Sequence, residues 1–340
     1  MRAVAVFPAE RAIRLVDHPE PVLERDDDVL VEVLDVGVCG TDREIARFEY
    51  GSPPPGSPYL VIGHESLGRV AAAGRAVSRV RPGDLVVAMV RRPCGHPECR
   101  PCATGRQDFC VTGDFTERGI KGRHGYMTER VVAAERYLHV VPAHLREVGV
   151  LVEPLTIAEK ALIQVWDVQE RLPWTAAGVP AGSGHGQKAV VLGAGPVGLL
   201  GALALRVRGF ETWVYSLEPA DGPKARWVES VGARYLSSAT TPLPRLAGQV
   251  GHVDLFYEAT GAAGVAFHAL GALGVNGVFV FTGVPGRKAP IALDADVLMR
   301  NLVLQNQLVF GTVNAGPDAF QAAVDDLARF RREQLQRTLQ

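Results

Sequence analysis

Charge of one sign is what this chain most plainly lacks: 36 lysines and arginines stand against 37 aspartates and glutamates, a formal net charge of −1. Without a basic excess there is no electrostatic footprint for nucleic acid and no polybasic face for anionic lipid, so a small neutral or weakly charged partner is expected, with no nucleic acid and no membrane. Cysteine is scarce and odd in number: five thiols leave one over in any pure disulfide framework, and in the cytosol thiols more often serve metals or catalysis. The opening MRAVAVFPAERAIRLVDHPEP reaches charge too soon for a secretory signal and alternates apolar with polar residues, which reads as strand and as a cytoplasmic protein. The one long apolar run, Ala189 to Leu205, lies between Lys188 and Arg206, but glycines at 193, 195 and 198 with Pro196 divide it into strand, turn and helix rather than a membrane span. No repeat of fixed period and no low-complexity tract is present. With 47% hydrophobic and 21% charged residues over 340 positions, wholesale disorder is excluded and two domains with real cores are allowed.

Up to about residue 90 the pattern is one of short alternating strands broken by Gly and Pro, as in DDVLVEVLDVGVCG and SLGRVAAAGRAVSRVRPGDLVVAMV, which suggests a partly open β-rich domain. YGSPPPGSPY is a proline-rich surface loop, and residues 94–110 lack apolar periodicity and need a cross-link or a metal to hold a shape. After Leu151 the character changes. EPLTIAEKALIQVWDV has helical spacing, and from Gln187 strands (KAVVLG, ETWVYSL, VDLFYEAT, VFVFTGV) alternate with helices (GLLGALALRVRG, PKARWVESVGA, GVAFHALGALGVNG). Such alternation means an α/β fold with a doubly wound parallel sheet. The expected division is 1–186, 187–307 and a C-terminal 308–340.

VVLGAGPVGLL places Gly193, Gly195 and Gly198, with Ala194, Pro196 and Val197 between them, in G-x-G-x-x-G spacing after a strand and before a helix. The first glycine permits the turn, the second lets a pyrophosphate approach the backbone, the third lets helix pack on strand, and the helix start binds phosphate. A glycine-rich turn of any α/β protein is the alternative; the strand and helix on either side favour the Rossmann reading. The next strand ends in Ser216, Leu217 and Glu218, where an acidic side chain accepts from ribose hydroxyls in an NAD enzyme. No arginine stands at 216 or 217, although Lys224 and Arg226 are near, so NAD is favoured over NADP with both remaining possible.

Cys94, Cys99, Cys102 and Cys110 supply four soft thiolates within one short lobe, as a closed tetrahedral zinc site requires. Two disulfides or a nucleic-acid-binding ribbon are the alternatives, disfavoured by compartment and by neutral charge. Cys39 stands apart, between Gly37 and Gly40. Together with His64 and Glu65 in VIGHESLG and Glu153 in LVEPL it makes an N/O/S set drawn from separated loops, the mark of a catalytic zinc with room for substrate. Two zinc ions per chain are thus expected.

GVCGTD, GHESLG, the four-cysteine lobe, VEPL and GAGPVG, in this order, resemble the zinc-dependent medium-chain alcohol/polyol dehydrogenases across nearly the whole chain. Within them, CGTDREI, TERGIKGRHGYMTE and FGTVNAG resemble the glucose 1-dehydrogenases of archaeal type. The resemblance implies a GroES-like catalytic domain over 1–186, a Rossmann domain over 187–307, and a homo-oligomer, dimer or tetramer. It implies oxidation of an aldose such as glucose at C1 to the lactone, with zinc as Lewis acid and hydride passing to NAD or NADP. Thr41 would carry the proton through its hydroxyl; Glu65 would be a zinc ligand or a close neighbour of the ligands; Glu153 would be a ligand that also touches substrate. Glu117 and Asn314 would hydrogen-bond sugar hydroxyls, and Thr282, Gly283, Val284, Thr312, Val313 and Asn314 would contact the cofactor.

Position 90 is Val and position 157 Ile, where some sugar-oxidising members carry polar residues. Members usually continue for a few dozen residues beyond FRREQLQRTLQ and return a last strand to the catalytic domain, so either a truncation or a different closure is expected here. Other polyol, threonine or alcohol dehydrogenases on the same scaffold are the nearest rivals, and a non-catalytic nucleotide-binding structural protein is the rival of a different class.

Overall fold

The computed structural model describes residues 1–175, 177–286 and 290–336. Backbone contacts divide the chain into two compact units, one of residues 1–156 and 314–328, the other of 157–313 and 329–340.

In the first unit, β1 (Arg2–Phe7) and β2 (Ala12–Asp17) form a hairpin that β4 (Leu60–Val61) extends. A five-stranded antiparallel sheet follows the order β10-β3-β5-β6-β11, built from β3 (Asp28–Gly37), β5 (Glu65–Ala73), β6 (Leu85–Ala88), β10 (Arg130–Ala134) and β11 (Leu138–Val141). Strand alternation turns Val29, Val31, Val70, Val86, Val131 and Ala133 inward around Tyr126, which explains the apolar-polar pattern of the sequence. The β3–β5 pairing slips between Leu30 and Val31 and again between Val33 and Asp35, then ends with Gly37 opposite Glu65. A smaller sheet joins β7 (Arg91–Arg92), β8 (Thr116–Arg118) and β9 (Gly122–Arg123). Helices α1 (Gly40–Ala46) and α2 (Arg100–Ala103) begin directly after Cys39 and Cys99. Helix α3 (Val152–Gln169) starts in this unit and continues in the other.

The second unit holds a six-stranded parallel sheet in the order β14-β13-β12-β15-β16-β17. Its elements run β12 (Lys188–Leu192), α4 (Pro196–Val207), β13 (Glu211–Ser216), α5 (Pro223–Ser230), β14 (Arg234–Ser237), α6 (Leu246–Val250), β15 (Leu255–Glu258), α7 (Ala263–Ala269), β16 (Val278–Phe281), α8 (Ala295–Leu304) and β17 (Leu308–Gly311). Numbered within the sheet this is 3-2-1-4-5-6, the order that leaves a crevice for a dinucleotide at the carboxyl ends of its central strands. Val190, Leu192, Trp213, Phe256 and Phe279 fill the core. Strands β14 and β17, unmarked in the sequence pattern, are the two edges and only four residues each. The helix expected over GVAFHALGALGVNG ends at Ala269 and passes into a single 3-10 turn, Leu270–Ala272, because glycines at 271 and 274 disfavour continuation.

Beyond Val313 the chain rejoins the first unit as α9 (Pro317–Leu327), burying Ala319, Phe320, Ala323, Val324 and Leu327, with Phe320 stacked on His139 at 5.2 Å. Burying that one ring is worth about 1.5–3 kcal/mol. A short α10 (Arg332–Gln336) follows, and the last positions of the 308–340 segment, 337–340, lie outside the described residues. Among the described residues no helix is long and apolar enough to cross a membrane.

Candidate active site

Register builds the first constellation. Because Gly37 pairs with Glu65, the end of β3 and the start of β5 lie side by side, and Cys39 and His64, just outside them, meet. Cys39 Sγ is 3.1 Å from His64 Nε2, and the donor atoms of Cys39, His64 and Glu65 all lie within 4.8 Å of one another. A side chain at Gly37 would displace the Glu65 carboxylate: its Cβ would fall 2.1 Å from Glu65 Oε2. Asp42, which the sequence reading did not single out, ties the parts together. Its Oδ2 accepts the Cys39 N–H at 3.0 Å, and its Oδ1 accepts the Gly63 N–H at 3.3 Å and faces His64 Nδ1 at 3.5 Å. That last pair is too poorly aligned for a hydrogen bond and leaves His64 Nδ1 buried without one, so the attraction is electrostatic. A carboxylate behind a ligating imidazole orients the ring.

Thr41, half-buried, is the second residue of α1. Glu153, in the first turn of α3, is 9% exposed and lies outside the Cys39–His64–Glu65 trio, yet within its field. Burial pushes Glu153 up to about 8, opposed by the charge of His64 and helped by those of Glu65, Asp42 and Glu117. Glu65 is raised in the same way. Burial works against a charged His64, but Asp42, Cys39 and Glu153 hold it well above its usual range. Thiol, imidazole and carboxylates crowd together, and this mixed N/O/S donor set fits a divalent zinc ion.

Glu117, 5% exposed on β8, accepts from Arg91 Nε at 3.0 Å and from Asn314 Nδ2 at 2.9 Å. Thus two residues expected to bind sugar are joined, and Arg91, which the sequence reading missed, holds the same carboxylate while its guanidinium lies over the Phe115 ring. Asn314 adopts a left-handed backbone, φ +61, a conformation that asparagine tolerates better than most residues. Val90 does not face such a cluster; it packs with Val6, Ile45, Leu60 and Ile120.

The sulfurs of Cys94, Cys99, Cys102 and Cys110 also lie within 4.8 Å of one another, none in a disulfide. His96 turns instead to Asp114, 2.8 Å away. Four convergent thiols in a segment whose regular structure amounts to the single turn of α2 and one 3-10 turn fit a structural zinc.

In the second unit Gly193 carries φ +102, and a Cβ at Gly198 would fall 2.1 Å from the Gly193 carbonyl oxygen, so the turn and the close helix approach both require glycine. Gly195 caps α4, where Pro196 and Val197 open the helix, and Ala194 N donates to Ser216 Oγ at 3.3 Å. Glu218 accepts from Ser216 Oγ and pairs with Lys224, which keeps its carboxyl below the usual range despite partial burial; Leu217 is exposed. The Thr282–Gly283–Val284 loop hangs on Glu258: Thr282 Oγ1 donates to the Glu258 carbonyl at 2.6 Å and Gly283 N to its Oε2 at 3.2 Å. Glu258 had no sequence signal, since it reads as one more strand residue. Thr312 Oγ1 accepts from Gln164 and the Val313 carbonyl from Lys160.

Residues 25–143 match the model for the alcohol dehydrogenase GroES-like domain, and residues 146–339 that for the glucose dehydrogenase C-terminus. The glucose 1-dehydrogenase of Methanocella arvoryzae is 40% identical over 98% of this chain and 89% of its own. That of Thermoproteus tenax is also 40% identical, over 96% of this chain and 88% of its own. The structure of Haloferax mediterranei glucose dehydrogenase in complex with NADP, Zn and gluconolactone superposes with a TM-score of 0.88 at 33% identity, covering 99% of this chain and 91% of that one. Matched in both domains and along nearly its whole length, the chain belongs to the glucose dehydrogenase family of the zinc-dependent medium-chain dehydrogenases.

Proposed function

We propose that this protein oxidises an aldose, glucose or a close relative, at C1 to the lactone, using zinc and NAD or NADP. The observation that carries the reading is the Glu117–Asn314 hydrogen bond in the same unit as the Cys39–His64–Glu65 trio. The relatives' names and the ligands of the Haloferax enzyme support it.

Zinc, when bound by Cys39, His64 and Glu65 or Glu153, polarises the reacting hydroxyl as a Lewis acid, and the nicotinamide, when bound, accepts the hydride. Thr41 takes the hydroxyl proton. Glu117 and Asn314 hold other sugar hydroxyls, and a substrate lacking these would forgo those hydrogen bonds. Glu153, raised chiefly by burial, is able to hold or release a proton near neutral pH. Cys94, Cys99, Cys102 and Cys110 hold a second zinc whose role is structural.

The division of labour follows the sequence: 1–186 catalytic, 187–307 nucleotide-binding, 308–340 a return segment. NAD serves at least as well as NADP, a reading supported by the Glu218 carboxylate. A homo-oligomer is supported by one helix, α8, which exposes Met299, Val303 and Leu304 at 64%, 70% and 65% just ahead of the edge strand β17 in the chain. Five thiols outside any disulfide support a cytoplasmic location.

The test is a dehydrogenase assay over glucose, galactose, xylose, ethanol and threonine with both cofactors. Aldoses turned over far faster than ethanol or threonine is the expected result. The reverse order would leave only a medium-chain dehydrogenase of other specificity, and no turnover of any would favour a nucleotide-binding protein without the reaction.

A further inference from the structure

The small sheet β7-β8-β9 has two faces of different chemistry. In the antiparallel β7–β8 register Arg91 lies opposite Glu117 and Arg92 opposite Thr116; in the parallel β8–β9 register Arg118 lies opposite Arg123. Successive strand residues point to opposite faces. Arg91 and Glu117 therefore share the face that reaches Asn314, and Arg92, Arg118 and Arg123 share the other. That other face lines a cavity of about 620 Å³, to which Arg25 and Arg136 also contribute, and a neighbouring cavity of about 340 Å³ shares Arg118 and Arg123.

The charges at this face are not balanced. Arg92 and Arg118 are only 5% and 7% exposed. Their hydrogen bonds end on carbonyl oxygens, of Met89 and Arg91 for the one and of His124 and Val132 for the other. Each also lies over a tyrosine ring, Tyr137 and Tyr126 respectively. Arg92 Nη2 and Arg118 Nε are buried with no partner at all. Arg25 and Arg136 pair with Asp27, but among the described residues Arg92, Arg118 and Arg123 have no carboxylate partner. Of the acidic groups at the cavity wall, Glu20 pairs with Arg130, Asp28 accepts the Glu24 and Arg25 N–H groups, and Glu24 is exposed. Like charges directly opposite on paired strands repel, and a buried guanidinium without counter-charge carries a large desolvation cost. Burial, aided by the charges of Arg118 and Arg123 and opposed by Tyr126 and Tyr137, pushes Arg92 down to about 10.

We propose that the Arg92–Arg118–Arg123 face is a binding site for a phosphate-bearing anion, separate from the dinucleotide crevice and from the Glu117 face of the same sheet. Guanidinium forks match phosphate oxygens bidentately, and a cavity of this size accepts a phosphorylated small molecule as well as free phosphate.

The test uses the full chain with its nucleotide site saturated by NADP, so that phosphate cannot act there. Melting temperature and calorimetric titration are followed with inorganic phosphate and with glycerol 3-phosphate, against sodium chloride at equal ionic strength. Saturable stabilisation beyond that of chloride is expected, tighter with glycerol 3-phosphate if the site takes a phosphorylated metabolite and equal if it takes free phosphate. Arg123 is exposed, so Arg123→Ala should fold; it should weaken phosphate binding by about tenfold or more while leaving NADP affinity unchanged. Equal effects of phosphate and chloride, or phosphate binding untouched by Arg123→Ala, would overturn the proposal and leave the arginines as braces for backbone carbonyls.

Discussion

Asn314 donates its side-chain amide to Glu117 Oε1 over 2.9 Å, joining positions 197 residues apart. With Arg91 on the same carboxylate, Glu117 is oriented and held by two partners, a poor site for a simple alcohol and a good one for a vicinal hydroxyl. Glu117→Gln should therefore raise KM for hexoses by about tenfold, the worth of one charged hydrogen bond, while leaving small alcohols unaffected. Steady-state kinetics on glucose and ethanol check this; equal losses on both would mean that Glu117 only braces Arg91.

Two separated donor sets make a second prediction. Metal analysis of protein purified without chelator should find two zinc ions per chain, and Cys39→Ala should keep one, fold normally and lose turnover. Cys102→Ala should keep the other and melt lower, on the order of 5 °C or more, because a structural metal contributes folding free energy directly. Thr41→Ala should depress kcat with little change in KM, since the hydroxyl acts chiefly as the proton leaves. One zinc or none in the wild type removes the basis of all three.

What was legible in the sequence was local or typed by chemistry. Gly193, Gly195 and Gly198 announce themselves by spacing, and the four-cysteine lobe by the absence of any other reason for its thiols. Cys39 and His64 were paired by residue type, although what brings them together is the Gly37–Glu65 register, which no local pattern displays. Asp42, Arg91 and Glu258 were illegible for the same reason: each acts through partners distant in sequence, Gly63, Glu117 and Gly283 respectively. The edge strands β14 and β17 escaped notice because four half-buried residues carry little periodicity.

Acid should weaken the first unit through His139. Burial and then the nearby charge of Arg79 push this histidine down to about 4, and its Nε2 is buried without a partner. The folded form thus prefers the neutral ring, the unfolded chain binds the proton first, and stability present above the ordinary value of 6.5 is lost as pH falls toward about 4. Chemical denaturation between these limits should show His139→Gln to have a shallower pH dependence than wild type, by up to ~1 kcal/mol per pH unit. Parallel profiles would mean that water reaches the ring. Comparing the two proteins cancels the loss of zinc that acid also causes.

Cofactor choice turns on Glu218 and Lys224. Lys224 neutralises the carboxylate that would otherwise repel a 2′-phosphate, and Ser216 holds its other oxygen. In that arrangement the carboxylate still accepts ribose hydroxyls, whereas a 2′-phosphate would have to break the Lys224 pair and gain the lysine for itself. NAD should then be used at least as well as NADP by kcat/KM. Glu218→Ala should shift the ratio toward NADP by about tenfold, roughly 1.4 kcal/mol, by freeing Lys224. Lys224→Ala should shift it the other way, because the bare carboxylate repels the phosphate. A wild-type preference for NADP of tenfold or more, abolished by Lys224→Ala, would show that the lysine already serves the phosphate and that Glu218 gives way when the cofactor binds.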